Sequence, residues 1–406
     1  MDKKQQSVFS LAVIVAALGY FVDIYDLLLF SIIRVPSLKS LGLDDAAIAK
    51  DGLKIINIQM MGLLVGGIFW GILGDKKGRL KVLYASIILY SLGNIANGFV
   101  HTVNEYAAVR FFTGFGLAGE LGAGITLVSE LLSKEKRGIG TSLVAGIGLT
   151  GAVFAFFIKQ NFEWRTCYFI GGGLGFLLLF LRVGVLESGM FKSVKETDIS
   201  KGNFLMLLNN GKRLKKYLTA ILIGLPTWYV IGILITFSKE FGIKMNVQGT
   251  IDPGKSVMFA YAAISVGDVL VGFVSHWLKS RKKAVALFYM LTVIAVIWFF
   301  NLQGQSVNIL YAACAMLGFG TGFWAIFVTM AAEQFGTNIR ATVATTVPNM
   351  VRGSLNLVSW LFIAMQASQG YIKSGWITGI VVMVIAVIAL FFTEETFGKE
   401  LNYIEK

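Results

Sequence analysis

The sequence GILGDKKGRLK, from Gly71 to Lys81, is a short charged loop between two long apolar runs. The run before it extends from Gly52 to Leu73, and the run after it from Val82 to Val100. An α-helix needs roughly 20 mostly apolar residues to cross a bilayer, and both runs approach that length. The stretch therefore predicts two membrane-spanning helices joined by a tight basic turn.

The same alternation of apolar runs and short polar loops continues along the whole chain of 406 residues. Hydrophobic residues make up 56% of the sequence and charged residues only 15%, which excludes a water-soluble domain with a polar exterior. The predicted spans are residues 7–33, 52–73, 82–100, 104–132, 138–157, 165–186, 217–240, 256–278, 284–302, 308–335, 341–367 and 375–392. We expect an all-α membrane protein with twelve transmembrane helices in the lipid bilayer.

The formal net charge of +13 is carried mainly by loops beside the apolar runs. Nucleic-acid-binding proteins are also basic, but Lys and Arg in short loops encode orientation, with the basic loops on the cytoplasmic side. The pattern predicts both termini on the cytoplasmic side of the cell (inner) membrane and no nucleic-acid partner. Cys167 and Cys314 are far apart, and His101 and His276 lie near opposite faces, so we expect no metal site, no cofactor and no enzymatic centre.

A long polar stretch in the middle of the chain divides the spans into two sets of six. We predict an N-terminal six-helix bundle at residues 1–187, a cytoplasmic linker at 188–216 and a C-terminal six-helix bundle at 217–406. In the fourth span of each bundle a glutamate precedes an arginine at the same interval, and these pairs are Glu130 with Arg137 and Glu333 with Arg340. Internal duplication is typical of secondary transporters.

Three stretches carry a resemblance to a known family. The loop at residues 71–81 resembles the motif between the second and third helices of the major facilitator superfamily. A second stretch, from Arg110 to Gly138, reads RFFTGFGLAGELGAGITLVSELLSKEKRG and resembles the fourth-helix signature of the organic-ion, phosphate and metabolite:proton symporters of this superfamily. A third, from Gly19 to Phe30, reads GYFVDIYDLLLF and resembles the first helix of the metabolite and phosphate symporters. The resemblance implies two pseudo-symmetric six-helix bundles and transport by alternating access, and we expect a monomer.

The resemblance also implies a gate network of acids and arginines at the cytoplasmic ends of the helices. In the superfamily this network holds the inner face shut. The matching residues are Asp75, Arg79, Glu130, Arg137, Glu333 and Arg340. The alternative is that these are solvated loop charges. His276 stands where the second half would carry an acid, which predicts a weaker lock in that half.

Asp23 and Asp26 lie one helical turn apart within the first predicted span. A charge at the centre of the bilayer costs about 2.5–3.5 kcal/mol on insertion scales, so acids in the membrane are candidates for function. We expect this pair, with Glu120 and Arg110 of the fourth span, to carry coupled protons. Two alternatives stay open: Asp26 simply pairs with Arg110, and Glu120 is a hydrogen-bonded acid that fixes helix contacts.

Arg352 lies about 18 Å along the eleventh span from Arg340, near the middle of the membrane. The polar residues that follow a helical pattern around it are Thr345, Asn349, Asn356 and Ser359. One polar stripe at this depth predicts a cavity, and a guanidinium binds a carboxylate or phosphate with two parallel hydrogen bonds. We therefore expect an anionic small-molecule substrate. The alternative is an internal salt bridge from Arg352 to Asp23 or Glu120.

Aromatic residues near the same depth are further candidates for substrate contact. Pro226 interrupts the seventh span and is followed by Trp228 and Tyr229, and the first span carries Tyr20 and Tyr25. Aromatic residues also form interfacial belts and packed cores. The sequence as a whole predicts proton-coupled symport of a small organic anion of the carboxylate type. The alternatives are a proton antiporter that exports a drug, siderophore or metabolite, and a membrane receptor that binds ligand without transporting it.

Overall fold

The computed structural model describes residues 10–77, 79–120, 134–187, 204–336, 338–399 and 405. The helices of the first part are α1 (Leu11–Ser40), α2 (Asp45–Lys77), α3 (Arg79–Asn97), α4 (Val103–Leu117), α5 (Lys134–Leu149), α6 (Gly151–Asn161) and α7 (Trp164–Glu187). Those of the second part are α8 (Leu205–Leu208), α9 (Gly211–Tyr229), α10 (Ser238–Lys244), α11 (Pro253–Trp277), α12 (Arg281–Phe300), α13 (Val307–Gly320), α14 (Trp324–Glu333), α15 (Arg340–Gly353) and α16 (Leu355–Phe392).

Nine stretches of the described chain are helical, long enough and apolar enough to cross a membrane. The last of them, Thr342–Phe392, is long enough to cross twice, and α16 turns within it at Gly370. The φ of 74° at Gly370 is left-handed, a conformation that glycine adopts without steric cost. Helices α3 and α4, which fall outside the nine, supply the third and fourth crossings. The twelve-helix all-α architecture expected from the sequence is confirmed.

Two helices begin six or more residues before the apolar runs that predict them. Helix α2 begins at Asp45, where the side chain of Asp44 accepts the backbone amide of Ala47 at 2.8 Å. Helix α9 begins at Gly211, inside the predicted linker, where the side chain of Asn210 accepts two backbone amides of the first turn. Hydropathy shows where a helix meets lipid, whereas a capping side chain fixes where the helix starts.

The glycine stripe of α2 brings two other helices into close contact. Gly62 and Gly66 lie against backbone atoms of Phe111 and Phe115 in α4, with no room for a Cβ atom. Gly67 lies on another face, where an added Cβ would approach the Cβ of Asn349 in α15 to 2.7 Å. Helix α2 therefore packs closely against one helix of its own half and one helix of the other half.

Two crossings depart strongly from α-helical geometry near their own midpoints. The seventh changes to a π-helical turn at Val230–Ile235, soon after Pro226. The tenth unwinds between α13 and α14 at residues 321–323. Non-helical backbone inside a membrane is tolerated where protein buries it or where it borders a polar site. The interruptions thus direct attention to the centre of the bundle.

Candidate functional site

Arg352 of α15 faces Asp23 of α1 across the boundary between the two halves. The nearest atoms, Arg352 Nη2 and Asp23 Oδ2, are 3.7 Å apart, and both side chains are buried. Neither carboxylate oxygen of Asp23 has a hydrogen bond, and neither does Nε of Arg352. The two charges therefore attract each other without the paired hydrogen bonds that a well-placed carboxylate forms with a guanidinium.

Three further side chains surround this ion pair. Asn349, one turn before Arg352, accepts a hydrogen bond from Nη1 of the guanidinium at 3.3 Å. The ring of Trp324, at the start of α14, has its centroid 5.9 Å from the guanidinium carbon. Tyr20 of α1 lies close enough to Asp23 and Arg352 to interact with both charges. We call these five residues the central cluster.

Asn349 also connects the central cluster to the N-terminal half. Its amide nitrogen donates to the carbonyl of Ala118, just beyond α4, at 2.9 Å, and to the carbonyl of Thr345 at 3.0 Å. Thr345 itself is half-buried on the same helix. The predicted group of Thr345, Asn349 and Arg352 is therefore on one continuous helix, with Asn349 in direct contact with the opposite half.

The remaining residues of the predicted polar stripe lie just beyond Ser354, at the start of α16. The backbone at Ser354 keeps right-handed helical torsion angles, with φ −63° and ψ −15°. The amide of Asn356 donates to the carbonyl of Gly353 at 3.0 Å. Ser359 donates to the side chain of Asn57 in α2 at 3.0 Å. A substrate contact of Asn356 stays a prediction.

Asp26 belongs to a second cluster, inside the N-terminal half. Its carboxylate is fully buried, and neither oxygen has a hydrogen bond. Arg110 of α4 donates from Nη2 to the backbone carbonyl of Asp26 at 3.0 Å, and from Nε to Gln59 at 3.2 Å. Asn94 of α3 lies beside the carboxylate, and its amide is also unpartnered. Arg110 thus holds the backbone of α1, and the simple ion pair between Asp26 and Arg110 is not formed.

Glu120 forms a two-bond ion pair with Arg182 of α7. Arg182 donates from Nη1 to Oε2 at 2.9 Å and from Nη2 to Oε1. Both side chains are buried, and Gly19 of α1 makes space for them, since a Cβ at that position would collide with both. This geometry favours the structural interpretation of Glu120 over the proton carrier. Arg182 escaped the sequence reasoning because a basic residue near the end of a span usually marks the membrane interface.

Two of the aromatic candidates lie away from the central cluster. The hydroxyl of Tyr25 donates to the carbonyl of Cys167 in α7 at 2.8 Å, and that of Tyr229 donates to the carbonyl of Gly375 in α16 at 2.8 Å. Each tyrosine joins two helices of one half, which favours a packing role over the expected substrate contact. Trp228 is buried, and its indole N–H has no partner.

Asp268 of α11 is a buried acid that the sequence reasoning missed. Its Oδ1 accepts the backbone amide of Ala325, in the first turn of α14, at 2.8 Å. Its Oδ2 has no hydrogen bond, although the side chain is fully buried. The signal was present in the sequence, because Asp268 is a lone acid in the middle of an apolar run.

The family model described as the Major Facilitator Superfamily matches residues 9–359. The chain belongs to the Major Facilitator Superfamily. It is therefore a multi-pass membrane transporter and not an enzyme, and the resemblance of the three sequence stretches is confirmed.

Similar proteins in this superfamily are transporters of small molecules. The niacin transporter NiaP of Acinetobacter baylyi is 25% identical over 96% of this chain and 95% of its own length. The sialic acid transporter NanX of Escherichia coli is 25% identical over 72% of this chain and 71% of its own length. The inorganic phosphate transporter 1-4 of Arabidopsis thaliana is 33% identical, but over only 37% of this chain and 32% of its own length.

A solved structure with the same architecture is the proton:xylose symporter XylE bound to 6-bromo-6-deoxy-D-glucose. The TM-score is 0.70, and the match covers 97% of each chain at 16% sequence identity. At that identity the likeness establishes the two-domain, twelve-helix fold of the superfamily.

The halves of this superfamily member meet through charged residues at one face of the molecule, which we call the distal face. It carries the C-terminal end of α1 and the N-terminal end of α11. Among the described residues, the ion pairs that join the halves there are Arg34 with Glu240 at 2.7 Å, Lys239 with Asp45 at 3.0 Å, and Lys159 with Asp252. The side chain of Arg34 is fully buried, and its guanidinium also lies 4.4 Å from the ring centroid of Phe237. These contacts close the distal face.

Those predicted gate residues that the structure describes lie at the opposite face, which carries the N-terminal end of α1 and the C-terminal end of α16. We call it the terminal face. Glu130 lies outside the described residues, and so do the side chains of Asp75, Arg79 and Arg137. The gate of the first half therefore stays a prediction.

In the second half the gate glutamate is bound by an arginine and by the C-terminal segment. Glu333 accepts from Arg281 Nη2 at 3.3 Å and from the hydroxyl of Thr396 at 2.7 Å. Arg340 donates from its guanidinium to the carbonyl of Phe335 at 3.0 and 3.2 Å. Arg281, which follows the basic loop, thus contacts Glu333 directly.

The C-terminal segment also caps α12. The carboxylate of Glu395 accepts the hydroxyl of Ser280 and the backbone amides of Arg281 at 2.9 Å and Lys282 at 3.3 Å. Burial raises the pKa of Glu395, but these hydrogen bonds and one from the amide of Phe397 outweigh it, so the pKa lies below its ordinary value of 4.5. The segment after α16 is therefore bonded to the loop that precedes α12.

Proposed function

We propose that this transporter is a proton-coupled symporter of a small organic anion of the carboxylate type. The observation that carries the proposal is the contact between Asp23 and Arg352 across the two halves. Both groups are buried, and their nearest atoms are 3.7 Å apart, yet both oxygens of Asp23 and one nitrogen of Arg352 lack hydrogen bonds. A buried charge pair with unused hydrogen-bonding capacity is suited to exchanging partners.

Proton and substrate are coupled in this proposal because they act on the same guanidinium. Two unit charges at this separation attract by about 4 kcal/mol at an effective dielectric constant of about 20. A charged Asp23 therefore competes with an anionic substrate for Arg352. A proton on Asp23 removes that competition, so the proton and the anion bind together. By linkage, bound anion favours protonation of Asp23 to the same extent.

Asp26 and Arg110 supply the second acid and its neighbour in the proton path. The unpartnered carboxylate of Asp26 lies one turn from Asp23, which supports proton transfer between them. Arg110 remains a part of this cluster through its bond to the Asp26 carbonyl. We assign Glu120, which is held by Arg182, to structural support of this region.

The substrate is proposed to lie among Arg352, Asn349, Tyr20 and Trp228. The indole N–H of Trp228 is unpartnered and supplies a donor, and aromatic rings supply apolar contact. Niacin and sialic acid, which appear in the names of similar proteins, both carry a carboxylate. We further propose a monomer in the inner membrane, with the terminal face on the cytoplasmic side.

Transport into proteoliposomes tests the proposal. With acid imposed outside, wild-type protein is expected to accumulate at least one carboxylate from a panel that includes niacin and sialic acid. Arg352→Gln is expected to abolish uptake while the protein stays folded and monodisperse in detergent. Arg165→Gln is the matched control, because Arg165 is a half-buried arginine that donates to a backbone carbonyl at the distal face.

Two aspartate variants separate coupling from binding. Asp23→Asn is expected to bind the anion at all pH values and to exchange it, without accumulating it against a gradient. Asp26→Asn is expected to lose accumulation while the pH dependence of binding is kept. No acid-driven uptake across the panel would contradict the proposal, and uptake driven by the reversed gradient would identify an antiporter.

A further inference from the structure

Asp268 lies where α11 crosses the unwound part of the tenth crossing. At this crossing a Cβ on Gly322 would approach the Cα of Gly267 to 2.7 Å and the backbone nitrogen of Asp268 to 2.9 Å. The two backbones therefore touch without intervening side chains. This proximity allows the short side chain of Asp268 to reach the N-terminal turn of α14.

The N-terminus of α14 partly offsets the cost of burying this carboxylate. Among the ion pairs of the described residues, none includes Asp268, and its side chain is fully buried. Instead Oδ1 accepts the amide of Ala325 at 2.8 Å, and the amide of Trp324 also faces the carboxylate. The unbonded amides and the dipole at a helix N-terminus favour a negative charge there.

The amides that Asp268 binds belong to the turn that carries a residue of the central cluster. Trp324 is the first residue of α14, and its ring centroid lies 5.9 Å from the guanidinium carbon of Arg352. A tryptophan ring at this distance interacts favourably with the cation. The direction of that ring depends on the backbone of the turn, because unwound residues precede it.

We propose that Asp268 is a positioning residue: its carboxylate fixes the first turn of α14 and thereby holds Trp324 against the substrate-binding guanidinium of Arg352. The inference rests on the proposed function only in that Arg352 binds the substrate. Asp268 contacts neither Arg352 nor the substrate and acts through Trp324.

A double-mutant cycle of Asp268→Ala and Trp324→Leu tests this role. Each single variant is expected to raise the KM of uptake about tenfold with little change in the maximal rate, because each loses the placed ring. The double variant is expected to match the single variants, since both act through the same ring. Asp268→Asn keeps an acceptor for Ala325 and is expected to restore KM to within about threefold of wild type. Independent, multiplied effects would overturn the proposal.

Hydrogen–deuterium exchange gives a readout that does not depend on any substrate. Amides of the first turn of α14 are expected to exchange faster in Asp268→Ala, and to be protected in wild type and Asp268→Asn. The matched control is Asn210→Ala, which removes a capping acceptor from α9 and is expected to leave α14 unchanged. Unaltered exchange at Trp324 and Ala325 in Asp268→Ala would overturn the inference, whether or not the proposed substrate class is correct.

Discussion

Loss of the Arg34–Glu240 ion pair is expected to open the distal face. Arg34 lies in α1 and Glu240 in α10, so the pair joins the two halves and exists only while they are in contact. We consider Arg34→Gln, which keeps a polar side chain of similar length and removes the charge. Glu240→Gln is the reciprocal change.

The size of the effect follows from the geometry of the pair. Nη2 of Arg34 lies 2.7 Å from one oxygen of Glu240 and 3.0 Å from the other. Removal of one partner of a buried pair costs about 3–5 kcal/mol. Glu240 retains 16% side-chain exposure, and both groups are hydrated after opening, so we take about 2–3 kcal/mol. That free energy corresponds to a shift of about 30- to 160-fold toward the open form.

Pulsed electron paramagnetic resonance measures this shift as a distance distribution. Spin labels are attached to cysteines that replace Glu163 and Gln303, two exposed residues in distal loops of opposite halves. The native residues Cys167 and Cys314 are both buried and are replaced by alanine in this background. The fraction of molecules with a longer distance between the labels is expected to grow in Arg34→Gln and in Glu240→Gln. In the double variant this fraction is expected to be little larger than in either single variant.

Lys39→Gln is the matched control. Lys39 pairs with Asp45 at 3.7 Å on the same face, but both residues belong to the N-terminal half. The distance distribution of this control is expected to equal that of wild type. The reasoning is refuted if Arg34→Gln leaves the distribution unchanged, or if Lys39→Gln shifts it equally.

Three further predictions concern individual side chains. Gly19→Ala is expected to lower the melting temperature, because its Cβ would collide with the buried ion pair of Glu120 and Arg182. The control is Gly173→Ala, which has open space around it and is expected to leave the melting temperature unchanged. Tyr229→Phe removes one hydrogen bond inside the C-terminal half, so it is expected to lower the stability by about 1 kcal/mol in thermal unfolding. The substrate affinity measured by binding is expected to stay the same. Glu395 has a lowered pKa, so its contribution to stability is present above about 4.5 and is lost as the pH falls through the folded-state pKa. Glu395→Gln is expected to flatten the fall in melting temperature below that pH, and an unchanged fall would contradict the assignment.

The fold and the centre of the candidate site were accessible from sequence because charge inside an apolar run is costly. That cost made Asp23 and Arg352 conspicuous, and the structure brings them together from opposite halves. Aromatic residues give no comparable indication of a functional site, since they are common both in packed cores and at membrane interfaces. The directions of Tyr25 and Tyr229 depend on helix rotation, which hydropathy does not report.

Other features depended on three-dimensional information. The contact between Asp268 and α14 arises from a close helix crossing and from an unwound segment, and neither follows from the spacing of one helix. Local patterns predict a face of a helix, but they do not predict where the helix stops.

The glycine stripe of α2 has a consequence for how fast the halves can reorient. Gly67 and Gly71 lie against Asn349 and Thr346 of α15, close to Arg352. Surfaces without side chains have no rotamers to rearrange as they shift along each other, which keeps the barrier to sliding low. A bulky residue at Gly67 would raise that barrier beside the proposed substrate site, and so would slow turnover more than it weakens affinity.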